Sequence, residues 1–505
     1  MSRAEISSQD ELTAKEIEEA FALCPDPPPA RVGYAERTEL FRRVPDELIQ
    51  RFRYYRGVET DWSTYLFPPA SFAVYGSRYL KRLKFDNSLA SLRLWGFMMT
   101  ESERLFRARQ CGRKVIACLA DLGGVTPIVY AAGNAVAFYP DCFWWTPFFM
   151  ESRVLFDAAS ELGMGEECCF SRASLGAFHK RAYFPKPDLC IAGSGASCDD
   201  FASVTQLAQS LTGQNVVWYE IPPRIEPEEC SPASGLCFRR THEGDAVYPA
   251  HVLEFLVSEY QRVLEQVQEV CGRRITDGDL ASSIRRTNRL RRTVRRIRDL
   301  AYGTDPCPLP ALEAMNAEFA VLHGYSDPEE CQRVLDQLLH TVERRVRCGE
   351  GVLPPDALRV TWVGPPADMR LLNLLEDMGA RVAGTEYMIN QSLSLISEEM
   401  PPLEALADCF LNASLIGSCA FRARKAVSEA RRYGAEGIIV SGVVGGSHCV
   451  AEEYAVRRMA EEQLGIPTLY IDVPFPLDEP SGQVKTRMEA FVELLRMRRA
   501  DERKT

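Results

Sequence analysis

Two cysteines stand where a parallel β-strand hands over to a helix, and a thiol in that place can do chemistry. Cys198 follows the apolar run PDLCIAGS (187–194) and precedes an amphipathic stretch that stops before Gly213. Cys449 follows GIIVSG (437–442) and precedes a helical stretch that stops before Gly465. The cysteine-to-glycine spacings are 15 and 16 residues, and the return strands VVWYEIP (216–222) and TLYIDVP (468–474) are alike. Ligands of open parallel sheets sit beyond the carboxyl ends of the strands, where helix N-termini aim their N–H groups. The same dipole lowers the pKa of a thiol and stabilises an anionic thiolate-ligated metal cluster. A lone cysteine more often fills a small buried niche; repetition of the pattern within one chain favours the chemical reading.

Other residue types near these strand ends bear on catalysis. His448, beside Cys449, and His179 are candidate proton donors, with a hydrogen-bonded structural histidine as the bland alternative. Glu386, just after RVAG (381–384), occupies another strand end as a candidate acid/base or ligand-positioning group, against simple surface solvation. The spelling GSGASC (193–198) is also a dinucleotide fingerprint with Cys198 in the third glycine's place and Glu220 where a ribose-binding acid belongs. That keeps an NAD-dependent oxidoreductase as an alternative. The second crest, VVGGSHC (443–449), drops the glycine pattern but keeps the cysteine. The sequence has no G-x-S-x-G elbow and no Walker A motif, so serine hydrolysis lacks support and ATP hydrolysis would belong to a partner.

Composition narrows the class. A net charge of −11 over 505 residues argues against a general nucleic-acid binder. Seventeen cysteines without a CxxC pair weigh against zinc ribbons, thioredoxin motifs and ferredoxin runs, so any metal must be held by cysteines far apart in sequence. The start MSRAEISSQDEL lacks the apolar core of a secretory signal, which with the odd cysteine count predicts reduced thiols or metal ligands in the cytoplasm. The most apolar window, 126–150, is interrupted by Pro127, Asn134, Pro140, Asp141 and Pro147. It predicts a helix, a buried strand over 135–139 and an aromatic loop over 143–149 rather than a membrane span.

The elements that must position these groups alternate strand with helix. The predicted fold class is α/β: two doubly wound, flavodoxin- or Rossmann-like parallel-sheet domains joined by a helical segment, with an N-terminal helical extension. The expected boundaries are 1–110 for the extension, 111–225 for the first α/β domain, 226–355 for the helical connection and 356–505 for the second domain. Within the connection, Leu280, Ile284, Thr287, Leu290, Val294, Ile297 and Ala301 recur at helical spacing, with eight arginines from Arg285 to Arg298 mostly off that seam. These read either as a solvated face or as a surface for a phosphate-bearing ligand or acidic partner.

Several short motifs, taken in order over about 111–497, resemble the cluster-bearing subunits of 2-hydroxyacyl-CoA dehydratases and class I benzoyl-CoA reductases. CCFSRASLG (168–176) is similar to the family's first cysteine segment, with Cys168, Arg172 and Gly176 in place and Cys169 as substitute. SCDD (197–200), ITDGDLASSIRRTNRLRR (275–292), RVAGTEY (381–387) and the stretch 465–495, with Gln483, Thr486, Arg487 and Glu489, resemble its later segments. The resemblance implies a [4Fe-4S] cluster on Cys168, Cys198 and Cys449, three thiolates leaving one iron open, in one subunit of a heterodimer with a homologous partner. It further implies an acyl-CoA substrate, one-electron reduction to a ketyl-type radical, and a separate ATP-hydrolysing iron–sulfur activator; dehydration or ring reduction follows. Ligands including Cys409 or Cys419 are the alternative cluster arrangement. Two departures stand out. Ile128, in TPIVYAAG (126–133), occupies the place of an expected active-site glutamate, which raises the alternative of an electron-relay or non-catalytic scaffold subunit. The long N-terminal region suggests an added interaction surface.

Overall fold

Apolar runs that read as strands resolve, in the computed structural model, into two four-stranded parallel sheets. The structure describes residues 14–51, 82–121, 123–140, 153–165, 171–227, 230, 235–365, 368–387, 389–443, 453–473 and 481–504. The first sheet consists of β1 (Lys114–Leu119), β2 (Ala135–Phe138), β3 (Leu189–Gly195) and β4 (Val216–Ile221), in the order β2-β1-β3-β4. The second consists of β5 (Leu358–Val363), β6 (Ala380–Glu386), β7 (Gly437–Val443) and β8 (Thr468–Val473), in the order β6-β5-β7-β8. The two orders are the same. In each sheet the chain first moves outward and then returns across its starting strand, so connections diverge between β1 and β3 and between β5 and β7. That divergence opens the crevice in which ligands of such sheets bind. Strands buried on both faces need continuous apolar or small residues, and β7, GIIVSGV, is buried along its whole length.

In the first domain, α1 (Thr126–Ala131) links β1 to β2, α2 (Arg153–Glu161) and α3 (Arg172–Lys180) lie between β2 and β3, and α4 (Asp199–Thr212) links β3 to β4. The predicted helix and strand of the 126–150 window are therefore present, while 141–150, with the aromatic loop, lies outside the described residues. Among the described residues no helix is long and apolar enough to cross a membrane.

Between the sheets run α5 (Ala250–Cys271), α6 (Asp277–Gly303), α7 (Ala311–His323) and α8 (Pro328–Cys348). Thr276 and Asp279 start α6 with a reciprocal capping box. The seam from Leu280 to Ala301 is buried, as its spacing predicts. Most of the arginines off the seam lie on the exposed face of α6 and pair across it. Arg286, Arg289 and Arg296 pair with Glu329, Asp336 and Glu343 of α8. Arg292, Arg295 and Arg298 pair with Glu398, Glu243 and Glu318. Arg291 is buried and donates to the carbonyls of Ser394 and Gly123. Most charges of the stretch from Arg285 to Arg298 thus have partners on neighbouring elements, while Arg285, Arg286, Arg289, Arg292 and Arg296 stay exposed.

The second domain adds α9 (Arg370–Asp377), α10 (Pro402–Phe410), α11 (Cys419–Arg432), α12 (Glu453–Leu464) and α13 (Gly482–Glu502). The described part of the N-terminal region is mostly helical, as expected, with helices over Ala14–Leu23, Tyr34–Arg42, Asp46–Arg51, Leu89–Met99 and Glu101–Gln110. Its ribbon of Arg31–Gly33 and Lys84–Asp86 is antiparallel, and buried charge fixes it to the rest. Asp86 accepts from Arg345 of α8 at 2.7 Å, and Arg31 Nε lies 2.9 Å from Glu376 of α9. Trp95 Nε1 donates to Glu313 of α7 at 2.8 Å. Breaking such buried pairs singly is strongly destabilising. The described part of this region is thereby braced against α7, α8 and α9.

Candidate functional site

Cys198 is the N-cap residue of α4, in extended conformation (φ −105°, ψ 117°), three residues beyond the end of β3. Its carbonyl accepts from the Ala202 N–H at 3.1 Å, while its side chain does not cap the helix. The thiol is half-buried, unlike the strand cysteines of the same sheet, Cys118 and Cys190. Burial pushes the Cys190 thiol up to about 12, the mark of an inert core cysteine. Cys198 has the partial exposure and helix-terminal position that a ligating or reactive thiolate needs.

The glycines before it have a packing reason. A Cβ on Gly193 would lie 2.9 Å from the Ala120 carbonyl oxygen, and one on Gly195 (φ +88°) 2.5 Å from that of Ile221. Both belong to β3, paired with Tyr219 and Ile221 of β4. Close strand contacts therefore account for the dinucleotide-like spelling, and Glu220 is exposed on β4.

The crest of β1, beside that of β3, is organised by a residue that the motif reading passed over. Asp121 is fully buried and accepts from the hydroxyls of Tyr219 (2.6 Å) and Tyr139 (2.8 Å). It also accepts from the backbone N–H groups of Gly123 and Val125, at 3.1 and 3.0 Å. Burial raises the carboxyl's pKa, and the hydrogen bonds pull it down, those of Tyr219 and Val125 foremost. Ala120 immediately before it is left-handed (φ +56°), a strained setting for a residue with a Cβ. A carboxylate directly after an apolar strand and before Gly123-Gly124 was the available sequence signal.

Cys168, Cys169, His448 and Cys449 lie outside the described residues. Their flanks are informative. Arg172, buried at the start of α3, donates to the Gly165 carbonyl at 2.9 Å, joining the two sides of the segment that contains Cys168 and Cys169. A Cβ on Gly176 would collide with the Leu155 carbonyl, so the glycine lets α3 press against α2. Ahead of Cys449, Ser441 Oγ donates to the Pro365 carbonyl at 2.9 Å, tying the end of β7 to that of β5.

Glu386 ends β6, is buried, and accepts from Ser414 Oγ at 2.7 Å. Burial raises its pKa against the pull of Arg422. Surface solvation is therefore the wrong description of Glu386. His179 is exposed on the last turn of α3, a helix that leads into the amino end of β3, so it sits away from the Cys198 crest. Cys409 is a core thiol, its pKa raised by burial, accepting from Arg291 at 3.4 Å; Cys419 is exposed at the start of α11. Among the described residues no three histidine, cysteine or acidic side chains are grouped to hold a metal. Gln483, Thr486, Arg487 and Glu489 are exposed on the first turns of α13.

The half-exposed thiol at a helix N-terminus fits one ligand of a thiolate-held cluster. A stretch of 252 residues is 27% identical to the (R)-phenyllactyl-CoA dehydratase beta subunit of Clostridium sporogenes, covering 48% of this chain and 64% of that relative. The chain therefore spans somewhat under two thirds of that relative's length. The family model of the 2-hydroxyglutaryl-CoA dehydratase D-component matches residues 126–495, which take in the second sheet, the strands β2, β3 and β4 of the first, and the helices between them. The chain belongs to the 2-hydroxyglutaryl-CoA dehydratase D-component family.

Proposed function

We propose that this protein is a subunit of a cytoplasmic 2-hydroxyacyl-CoA dehydratase, acting with a homologous partner subunit on an acyl-CoA. The observation that carries the reading is Cys198, half-exposed at the divergence point of a parallel sheet, within the region matched to the dehydratase family. On this reading Cys168, Cys198 and Cys449 hold a [4Fe-4S] cluster, with Cys169 able to replace Cys168. Such a group, when bound, supplies one-electron reduction of the thioester, with the electron delivered by an ATP-hydrolysing activator protein. The chain's own contributions are the N–H groups at the start of α4, which favour negative charge at Cys198, and the Asp121 network, which fixes the neighbouring crest. His448 is the proton donor this reading assigns, and Glu386 positions a ligand.

Ile128 supports a second reading. Its side chain is fully buried in α1, so this subunit presents no carboxylate there. A relay or scaffold subunit, with the acid/base group on the partner, accommodates that. Anaerobic purification with the partner subunit, followed by iron and sulfide counting and assay of 2-hydroxyacyl-CoA dehydration with activator and ATP, tests both. Cluster with turnover supports the first reading, and cluster without turnover by this subunit's own variants supports the second. Absence of iron, or saturable NAD binding instead, removes the dehydratase reading.

A further inference from the structure

An edge strand offers its outer N–H and C=O groups to any chain that can pair with them, unless something covers it. Three of the four edges of the two sheets are covered. β2 and β6 are buried along their whole lengths. In the first sheet the Asn215 and Ile221 carbonyls accept from Cys190 and Ala196, so on β4 the residues facing outward are Val216, Trp218 and Glu220. Those are the groups that α5 caps. Glu259 Oε2 accepts from the Glu220 N–H at 2.7 Å, and Arg262 donates to the Trp218 carbonyl at 3.4 Å.

The fourth edge, β8, has no such cap among the described residues. The Pro467 carbonyl accepts from Ile438 of β7 at 3.0 Å, so Leu469, Ile471 and Val473 turn their backbone groups to β7, while Thr468, Tyr470 and Asp472 turn theirs away. For Thr468 and Asp472 these outward backbone groups have no hydrogen-bond partner among the described residues. The helices packed on β8, α12 and α13, also bring apolar side chains to the surface. Tyr454 of α12 is 62% exposed, and Leu494 and Met497 of α13 are 43% and 60% exposed. Leu494 stands one turn before Arg498, which donates to the Gly465 carbonyl at 2.6 Å just ahead of β8, so it borders this edge.

The residue pattern of β8 complements itself. In an antiparallel pair with a twofold axis at Tyr470, Thr468 faces Asp472 of the second copy and Tyr470 faces Tyr470 of the second copy. All of these are outward residues, so each pair exchanges two N–H···O bonds, roughly six in total. Hydroxyl meets carboxylate at both ends; an axis moved to Asp472 would set two carboxylates against each other.

We propose that β8 is a homodimer interface, at which two copies of this chain join edge to edge so that their four-stranded sheets become one and Leu494 is covered by the second copy. The interface goes beyond the dehydratase reading and needs neither cluster nor acyl-CoA.

Sedimentation equilibrium of the full chain tests it, the expected result being a dimer at micromolar concentration. Asp472→Pro removes an outward N–H and no bond to β7, so it should leave a monomer whose circular dichroism spectrum is that of the wild type. Thr468→Asp opposes carboxylates at both ends and should weaken the dimer about tenfold. Adding Asp472→Thr to it should restore the wild-type affinity, because hydroxyl again faces carboxylate. A wild-type monomer at tens of micromolar, an affinity unchanged in both single variants, or a dimer that gives way to a single copy when a homologous subunit is added overturns the proposal.

Discussion

Arg172 donates to the carbonyl of Gly165 at 2.9 Å, so the residue four places after Cys168 holds the backbone three places before it. Arg172 also lies over the Phe156 ring, 5.0 Å from its centroid, so its guanidinium is fixed from two sides. Arg172→Met keeps much of the apolar stem while removing the donor. On the proposed ligand assignment, iron content should fall by at least half with the circular dichroism spectrum retained. Full iron in this variant would show that the link is irrelevant to the cysteine segment.

Cys198→Ser should give a folded, colourless protein, because the residue caps α4 through its backbone and serine is a favourable N-cap. Stability should change by less than about 1 kcal/mol. Retention of full iron and sulfide would remove Cys198 from the ligand set.

Gly176→Ala should be severely destabilising, since the new Cβ meets backbone rather than a movable side chain. Overpacking of this kind costs about 1–3 kcal/mol or more. The denaturant midpoint measures it, and a wild-type midpoint would mean that α2 and α3 separate easily.

Asp121→Asn leaves one carbonyl oxygen where two carboxylate oxygens serve two phenols and two backbone N–H groups. The loss should be about 2–3 kcal/mol, as for hydrogen bonds to charged groups. Equal unfolding free energies would argue against Asp121 as the organiser of this crest.

Burial pushes the Glu376 carboxyl up to about 7, with Arg31 pulling the other way. The folded chain therefore holds a proton that the unfolded chain, near 4.5, has released. Its contribution to stability is complete below about 4.5 and is lost as the pH rises through about 7. Melts of wild type and Glu376→Gln across that window should diverge by on the order of 3 kcal/mol, the variant losing less as pH rises. Parallel curves would locate the pH dependence elsewhere.

Much of the fold was legible because buried parallel strands leave continuous apolar runs, as in KVIACL and GIIVSGV, and because α6 repeats its seam at helical spacing. The ribbon of Arg31–Gly33 and Lys84–Asp86 was not, since three-residue strands carry no period. Arginine partners were equally hidden. Arg298 finds Glu318 after 20 residues but Arg292 finds Glu398 only after 106, and tertiary contact alone selects them. At the site, Cys198 declared itself by its place between strand and helix, whereas the burial of Glu386 depends on Ser414, 28 residues further on.

The pairing of Asp86 with Arg345 also constrains synthesis. Asp86 leaves the ribosome 259 residues before its partner, a wait of roughly 13–50 s at ordinary elongation rates. During that interval the amino-terminal brace has an uncompensated acid and no surface to close upon. Nascent chains stalled before residue 345 should therefore be protease-sensitive throughout this brace, and slowed translation should lower soluble yield.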